Sequence, residues 1–470
     1  MLTLEQSLNV RSRAALKAQG LKQSTLKTLL LKHWDRLRSS FWFVPAVMAC
    51  LAAALAVWAV EIDSTFAEGW VRHLGWIYSG GAEGASLLLG TVAGSMIAIA
   101  GTVFSMTLVA LSLASSQLGP RLLRNFMRDT ANQLVLGTFV ATFVYCLLVL
   151  RTVRRADEVA FVPHLSVSIG VLLAMVSIGV LIYFIHHVSV SIQADEVVAR
   201  VGSELDDGID RLFPSQLGKP ESKAAQASGK VGLPAEFARE AIPVGAVEDG
   251  YLQLIDADAL MALASEEDLL LRLERRPGHY LVKGRAMAMV WPGDRVTATL
   301  VDRMSAAFVL GDQRTASQDV EFSFQQLVEI ALRALSPGIN DPFTAIACVD
   351  RLGSGLCRLA RRDMPSALRF DQRGRLRLVA PGSTFAGIVD LAFNQIRQSA
   401  RSNPAVAIRL LGVIAQVAGH VQRAPDAACL QRHAGMVVRG AREAVPEAED
   451  LLAVEAAFMA ATQALASTCA

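Results

Sequence analysis

From Gly84 to Pro120 the chain carries no charged side chain, and residues 86–118 read SLLLGTVAGSMIAIAGTVFSMTLVALSLASSQL. A run this long and apolar suits a bilayer, where backbone groups must be paired within the segment, so it must be a helix. Thr91, Ser95, Ala98, Thr102, Ser105, Val109, Ser112 and Ser116 recur along it at steps of 4 and 3. Such spacing places small and hydroxyl side chains along one seam. A helix bathed only in lipid has no need of that seam, so it faces another helix, another subunit or water. Two readings stay open. Small residues let membrane helices approach closely, which fits tight packing inside a four-helix unit. Alternatively, Thr91, Ser95, Thr102, Ser105, Ser112 and Ser116 line a polar path in an oligomer.

Three further runs approach the length a membrane helix needs: about 41–60, 132–150 and 165–187, beside 86–115 for the second. With 53% hydrophobic and 19% charged residues in 470, the chain is too apolar for an ordinary soluble protein of its length. The first run begins too far from the N-terminus for an ordinary cleaved signal peptide. Gly119-Pro120 is a natural end for the second helix. Basic residues set the orientation. Arg11, Arg13, Lys17, Lys22, Lys27, Lys32, Arg36 and Arg38 precede the first span, and Arg121, Arg124 and Arg128 follow the second. The loop after the first span has only Arg72 among several acids. The positive-inside rule then puts both termini in the cytoplasm, although Arg151, Arg154 and Arg155 argue the other way.

Beyond the spans the pattern changes twice. His187, Ser191, Ala194, Val198, Val201, Leu205, Gly208 and Leu212 continue the steps of 4 and 3 and read as a helical stalk. Between 242 and 295 the period moves towards 2, with turns at Glu248-Asp249-Gly250, Pro277-Gly278 and Lys283-Gly284. Here RRPGHYLVKGRAMAMVW (275–291) is similar to a hairpin of biotinyl/lipoyl and barrel-sandwich folds, but it lacks their Met-Lys-Met, so no cofactor carriage is assigned. The expected organisation is a basic cytoplasmic juxtamembrane segment (1–40), a four-helix transmembrane domain (41–187), a stalk (188–213) and a linker (214–241). A small β-barrel- or sandwich-like domain (242–295) and a helical cytoplasmic domain (296–470) follow. The fold class is therefore an α-helical membrane domain followed by a soluble α+β region. Thr315 with Gln318 looks like a capping box, and Asp341-Pro342 and Asn403-Pro404 each mark a helix start.

The sharpest polar cluster is 311–345. On its helix Glu321, Gln325, Glu329 and Arg333 stand at intervals of 4 and form a polar ridge. This is either a solvated face over a packed helix or part of one site formed by Asp312, Arg314, Glu321, Glu329, Asn340 and Asp341. A helix N-terminus at Asp341 would offer free N–H groups to an anion. Arginine is frequent from 351 to 409 without interleaved aromatics, which fits a solvated surface near anionic lipid better than base stacking. His186 and His187 are adjacent, about 100° apart on a helix, and do not form an i, i+4 metal pair. The six cysteines show no CxxC, and no catalytic signature is present. Neither a catalytic residue nor a metal or other cofactor is assigned, and a net charge of +2 makes no case for nucleic acid.

WDRLRSSFWFVPA (34–46), LASSQLGPRLLRNFMRD (113–129), LGTFVATFVYCLLVLRTVR (136–154), IYFIHHVSVSIQ (182–193), GDQRT (311–315) and ALRALSPGINDPFTAIACVDRL (331–352) resemble a bacterial family of predicted membrane proteins grouped under a domain of unknown function. The resemblance implies four membrane helices with a soluble C-terminal region and brings no catalytic residue with it. Residues and resemblance together point to a multi-pass protein of the bacterial inner membrane. Its partners would be membrane lipids and further copies of itself. The leading reading is an oligomeric channel- or transporter-like protein with a cytoplasmic sensing or gating region. The alternatives are a non-transporting scaffold or lipid-responsive sensor and, third, a membrane-associated enzyme.

Overall fold

A computed structural model of the chain describes residues 42–65, 78–118, 130–154, 161–191, 193–213 and 233–468. The basic segment 1–40, the loop bearing Arg121, Arg124 and Arg128, and most of the 214–241 linker lie outside these residues. The chain forms two compact units, residues 1–193 and 194–470.

The first unit contains α1 (Phe43–Thr65), α2 (Ala82–Leu118), α3 (Thr130–Leu150) and α4 (His164–Ser191). All four are long and apolar enough to cross a membrane. With 37 residues, α2 is roughly 55 Å long, well beyond the hydrocarbon core. Helix α3 is the hub and touches the other three. Its buried face includes Val135, Phe139, Thr142, Tyr145, Cys146 and Val149. At Gly137 the α1 backbone comes so close that a Cβ would collide with the Met48 sulfur and lie 3.3 Å from Pro45 Cα. Such close helix approach is how apolar spans associate when lipid removes the hydrophobic driving force.

The second unit opens with α5 (Ala194–Leu212). Of the residues read as a stalk, this helix buries Val198, Val201, Gly202, Leu205, Gly208 and Ile209. It packs on α8 (Val320–Ala334) and α9 (Pro342–Ala360). Its apolar face is that of a helix in water, which buries its large aliphatic groups wherever a partner surface exists.

Strands β1 (Ile242–Gly245), β5 (Ala286–Trp291), β3 (Leu270–Leu273), β8 (Leu376–Val379) and β7 (Leu368–Phe370) form a five-stranded sheet in that order. Strands β4 (Tyr280–Leu281), β2 (Gly250–Ile255) and β6 (Phe308–Gly311) form a second sheet, also in that order. The strand set thus extends beyond 242–295. Strand β8 joins β3 in parallel, with Leu271 opposite Leu378 and Arg272 opposite Val379. Leu378, Phe308 and Leu310 share one buried core with Val244, Leu252 and Val290. The 275–291 stretch is not a hairpin, because β4 pairs with β2 while β5 pairs with β1 and β3. Helices α6 (Ala257–Glu266) and α7 (Ala298–Ser305) contribute Leu260, Leu263, Leu300 and Met304 to the same core.

Four more helices complete the unit: α10 (Phe385–Ser399), α11 (Pro404–Ala418), α12 (Ala424–Ala444) and α13 (Ala448–Thr468). Asn403 caps α11 by accepting from Val406 N at 3.2 Å, with Pro404 in the first turn. Helix α8 starts at Val320, after Asp319, and not at Thr315. The expected capping box fails because the Gln318 amide is engaged elsewhere. Its Oε1 accepts from Ile255 N at 2.9 Å and its Nε2 donates to Ile255 O at 3.1 Å, like an added strand residue.

Candidate functional site

The hydroxyl seam of α2 faces outward. Thr91, Ser95, Ala98, Thr102, Ser105, Val109 and Ser112 are all exposed on the protomer, while the side chain of Ser116 lies outside the described set. Across the helix Ala85, Leu89, Ala93, Met96, Ala100, Val103 and Ala110 are buried. The seam is therefore not packed inside its own four-helix unit. Gly94 and Gly101 flank it, and a Cβ built at either would meet nothing within 4 Å. The Thr91 hydroxyl donates to Leu87 O at 2.7 Å and that of Thr102 to Ala98 O at 3.1 Å. These groups are satisfied within the helix, so they do not oblige a polar partner, yet their outer lone pairs stay available to one.

A second polar feature of this unit has no periodic signature in the chain. Asp63, near the end of α1, receives the first turn of α4. Its Oδ1 accepts from Leu165 N at 3.0 Å, and its Oδ2 from Ser166 N at 2.8 Å and Ser166 Oγ at 2.7 Å. Tyr145 OH donates to Ser166 O at 3.0 Å. His164 Nδ1 donates to Tyr78 O at 2.7 Å, and Tyr78 N donates to the Ser168 hydroxyl at 2.8 Å. One carboxylate thus satisfies orphan amides at the α4 N-terminus and ties α1 to α4, while Tyr145 joins α3, and His164 and Ser168 join Tyr78, to the same turn. Nearer the middle of the unit, Thr142 and Ser177 share a hydrogen bond of 3.1 Å. His187 stacks on Tyr183 one turn earlier, with ring centroids 5.5 Å apart.

In the second unit the 311–345 residues fall into two places. Around the N-terminal half of α8, Arg314 pairs with Asp319 at 2.6 Å and hydrogen-bonds Gln325, while Glu321 pairs with Arg276 at 2.6 Å. Arg276 also donates to His279 Nε2 at 3.2 Å and to the Ser383 hydroxyl at 2.5 Å. Gly278, at φ +94°, lies so close to Asp319 that any Cβ would strike its carboxylate. Burial pushes the Asp319 carboxyl above its ordinary range, against the pull of Arg314. Burial, followed by the Arg276 charge, lowers His279. These groups form a clamp that fastens the turn between β3 and β4 to the start of α8, with charges spent on one another.

Asp341 and Asn340 lie past the other end of α8, roughly 22 Å along a helix of 15 residues. Asp341 caps α9, accepting from Phe343 N and Thr344 N at 3.1 Å each and from the Thr344 hydroxyl at 2.5 Å. That hydroxyl, ahead of the two amides, holds its carboxyl below the usual range. The cap fills the helix N-terminus that an anion would need. Asn340 is exposed with φ +49°, and Asp312 is exposed. Glu329 stands on α8 between the two places. Of the six, the structure gathers Arg314 and Glu321 into one network and leaves Asp312, Asn340 and Asp341 apart from it. Arg276, His279, Asp319 and Ser383 complete that network. Arg276, His279 and Ser383 come from segments whose sequence carries no sign of this partnership. Among the described residues, no group of three or more His, Cys, Asp or Glu is placed to hold a metal ion.

Comparison with known proteins agrees with a membrane protein. A model for the family of predicted membrane proteins DUF2254 matches residues 38–416. An uncharacterised protein of Mycobacterium bovis and one of Mycobacterium tuberculosis are each 34% identical to the chain over 393 residues, covering 82% of it and 74% of the relative. No solved structure matches. The chain belongs to the DUF2254 family of predicted membrane proteins.

Proposed function

We propose that this DUF2254 protein assembles in the bacterial inner membrane through the outward seam of α2, and that the assembly is channel- or transporter-like. The single observation carrying the reading is the exposure of Thr91, Ser95, Thr102, Ser105 and Ser112 on a helix whose opposite face fills the protomer core. Lipid gains little from contacting small hydroxyl residues, whereas a second helix can approach them closely. Copies arranged around such a seam would surround a narrow path lined by hydroxyls and glycine backbone. The basic N-terminal flank puts both termini, and with them the second unit, on the cytoplasmic side. There the second unit would sense or gate.

A second reading has its own support. The Thr91 and Thr102 hydroxyls are already bonded to their own helix, which suits a dry helix–helix interface in a non-transporting scaffold or lipid-responsive sensor. Ion flux through reconstituted proteoliposomes separates the two. The channel reading expects flux from the wild type and its loss in Ser105→Leu/Ser112→Leu, with the assembly intact by cross-linking. Absence of flux in the wild type, or unchanged flux in the double variant, overturns it. Dissociation of the assembly without any wild-type flux favours the scaffold.

A further inference from the structure

Ser354, Cys357 and Arg358 of α9, with its C-cap Arg361 and the following Arg362, line a surface cavity of about 490 Å³. Spacings of 3 and 1 put Ser354, Cys357 and Arg358 on one helix face, and the turn that ends α9 brings Arg361 and Arg362 to the same cavity. The three guanidiniums are unequally compensated. Arg358 contacts Asp206 at 3.3 Å and Asp210 at 3.0 Å. Arg362 also contacts Asp210, at 2.5 Å, and donates to Phe213 O at 2.5 Å. Arg361 meets no carboxylate among the described residues. It contacts the imidazole of His420, at 3.2 and 3.3 Å. Three cations thus share one concavity with two acids.

We propose that this cavity binds a phosphomonoester, with Arg361 as the anchoring guanidinium and Arg358 and Arg362 as flanking donors. A guanidinium carries five N–H donors in a planar fork suited to phosphate oxygens. A phosphomonoester offers three free oxygens, one for each fork, where a carboxylate offers two. Asp206 and Asp210 hold Arg358 and Arg362 in place beforehand, which lowers the entropy lost when an anion arrives. The arginines also offset the negative end of the α9 dipole, which would otherwise repel it. Among the described residues no aromatic lines the cavity, which favours recognition of the phosphate over that of a base. Cys357 takes no chemical part, because burial raises its thiol above the ordinary range and keeps it protonated. The site lies wholly in the second unit and stands independently of whether the membrane unit conducts.

The ester can belong to a soluble metabolite or to a lipid headgroup, and two arms tell these apart. The full-length protein in neutral-lipid nanodiscs is titrated with glycerol 3-phosphate at constant ionic strength, following its thermal midpoint and calorimetric binding. In the other arm, nanodiscs with and without phosphatidate are compared. Saturable binding in the first arm, weakened at least tenfold by Arg361→Gln and partly restored by Arg361→Lys, supports the site with a soluble ligand. A phosphatidate-dependent rise in midpoint, lost in Arg361→Gln, supports it with a lipid ligand. Arg361→Gln spares every ion pair to Asp206 and Asp210, so its folding can be verified before ligand is added. No response in either arm overturns the proposal. So does equal binding by wild type and Arg361→Gln.

Discussion

Helices α2 and α5 carry the same sequence rhythm, and the folded chain treats them in opposite ways. In α2 the residues at steps of 4 and 3 are Thr91, Ser95, Ala98, Thr102, Ser105, Val109 and Ser112, and all point outward. In α5 the corresponding rhythm includes Val198, Val201, Leu205 and Gly208, all buried. Periodicity marks a face in both. What becomes of the face depends on side-chain size and on the surrounding medium. Water expels the large aliphatic groups of α5 onto α8 and α9. In α2 the bulkier Leu89, Met96 and Val103 fill the gaps against neighbouring helices, and the small residues remain for whatever approaches from outside.

The largest test of this contrast lies in α5. Leu205 is fully buried, and its side chain lies against Gly355. Leu205→Ala should cost about 3 kcal/mol, read as a lowered midpoint for the second unit in denaturant titration. A loss below about 1 kcal/mol would mean that α5 is a spacer and not core. A smaller effect is expected in the membrane unit at Asp63. Removing the carboxylate in Asp63→Ala strands the Leu165 and Ser166 amides, at about 1–2 kcal/mol, with faster hydrogen exchange confined to the first turn of α4.

Protons should distinguish the two units as well. No titratable side chain lies between Glu83 and Arg121 in the sequence, whereas α12 buries His433 against α10. His433 Nε2 donates to Asp390 at 2.8 Å, and Arg432 pairs with the same carboxylate at 2.7 Å. Burial lowers the His433 pKa from 6.5 despite its Asp390 partner. The unfolded chain therefore takes up this proton first as pH falls, so the contribution to stability is present above 6.5 and is lost below it. His433→Phe should flatten the acid side of the stability profile between pH 5 and 7, on the order of the His titration range. An unchanged slope would remove His433 as its source. The smallest effect on the protomer belongs to the seam. Ser105→Leu should leave protomer unfolding within about 0.5 kcal/mol and the cross-linked assembly intact. A clear loss of protomer stability would put Ser105 inside its own bundle and break the contrast.

The 311–345 region shows how far local reading reaches. Asp341 with Pro342 and Asn403 with Pro404 were legible as helix starts, because a cap acts on amides two or three residues away. Gln318 misled for a related reason: its amide satisfies the backbone of Ile255, which lies 63 residues away in sequence. The same distance hides the clamp. Glu321 and Asp319 look like solvated acids at the start of a helix until the turn bearing Arg276 and Gly278 is folded over them.

By itself, the sequence determined the membrane helices, the α+β character of the soluble region and the start of several helices. Hydrophobic period, span length and capping chemistry all act within a few turns of chain. Only the tertiary structure decided which way the α2 seam faces, that β8 joins β3, that α5 belongs to the soluble core and that three arginines at the end of α9 line one cavity. Those outcomes depend on contacts between segments far apart in the chain, where shape and burial choose among partners that local pattern leaves equivalent.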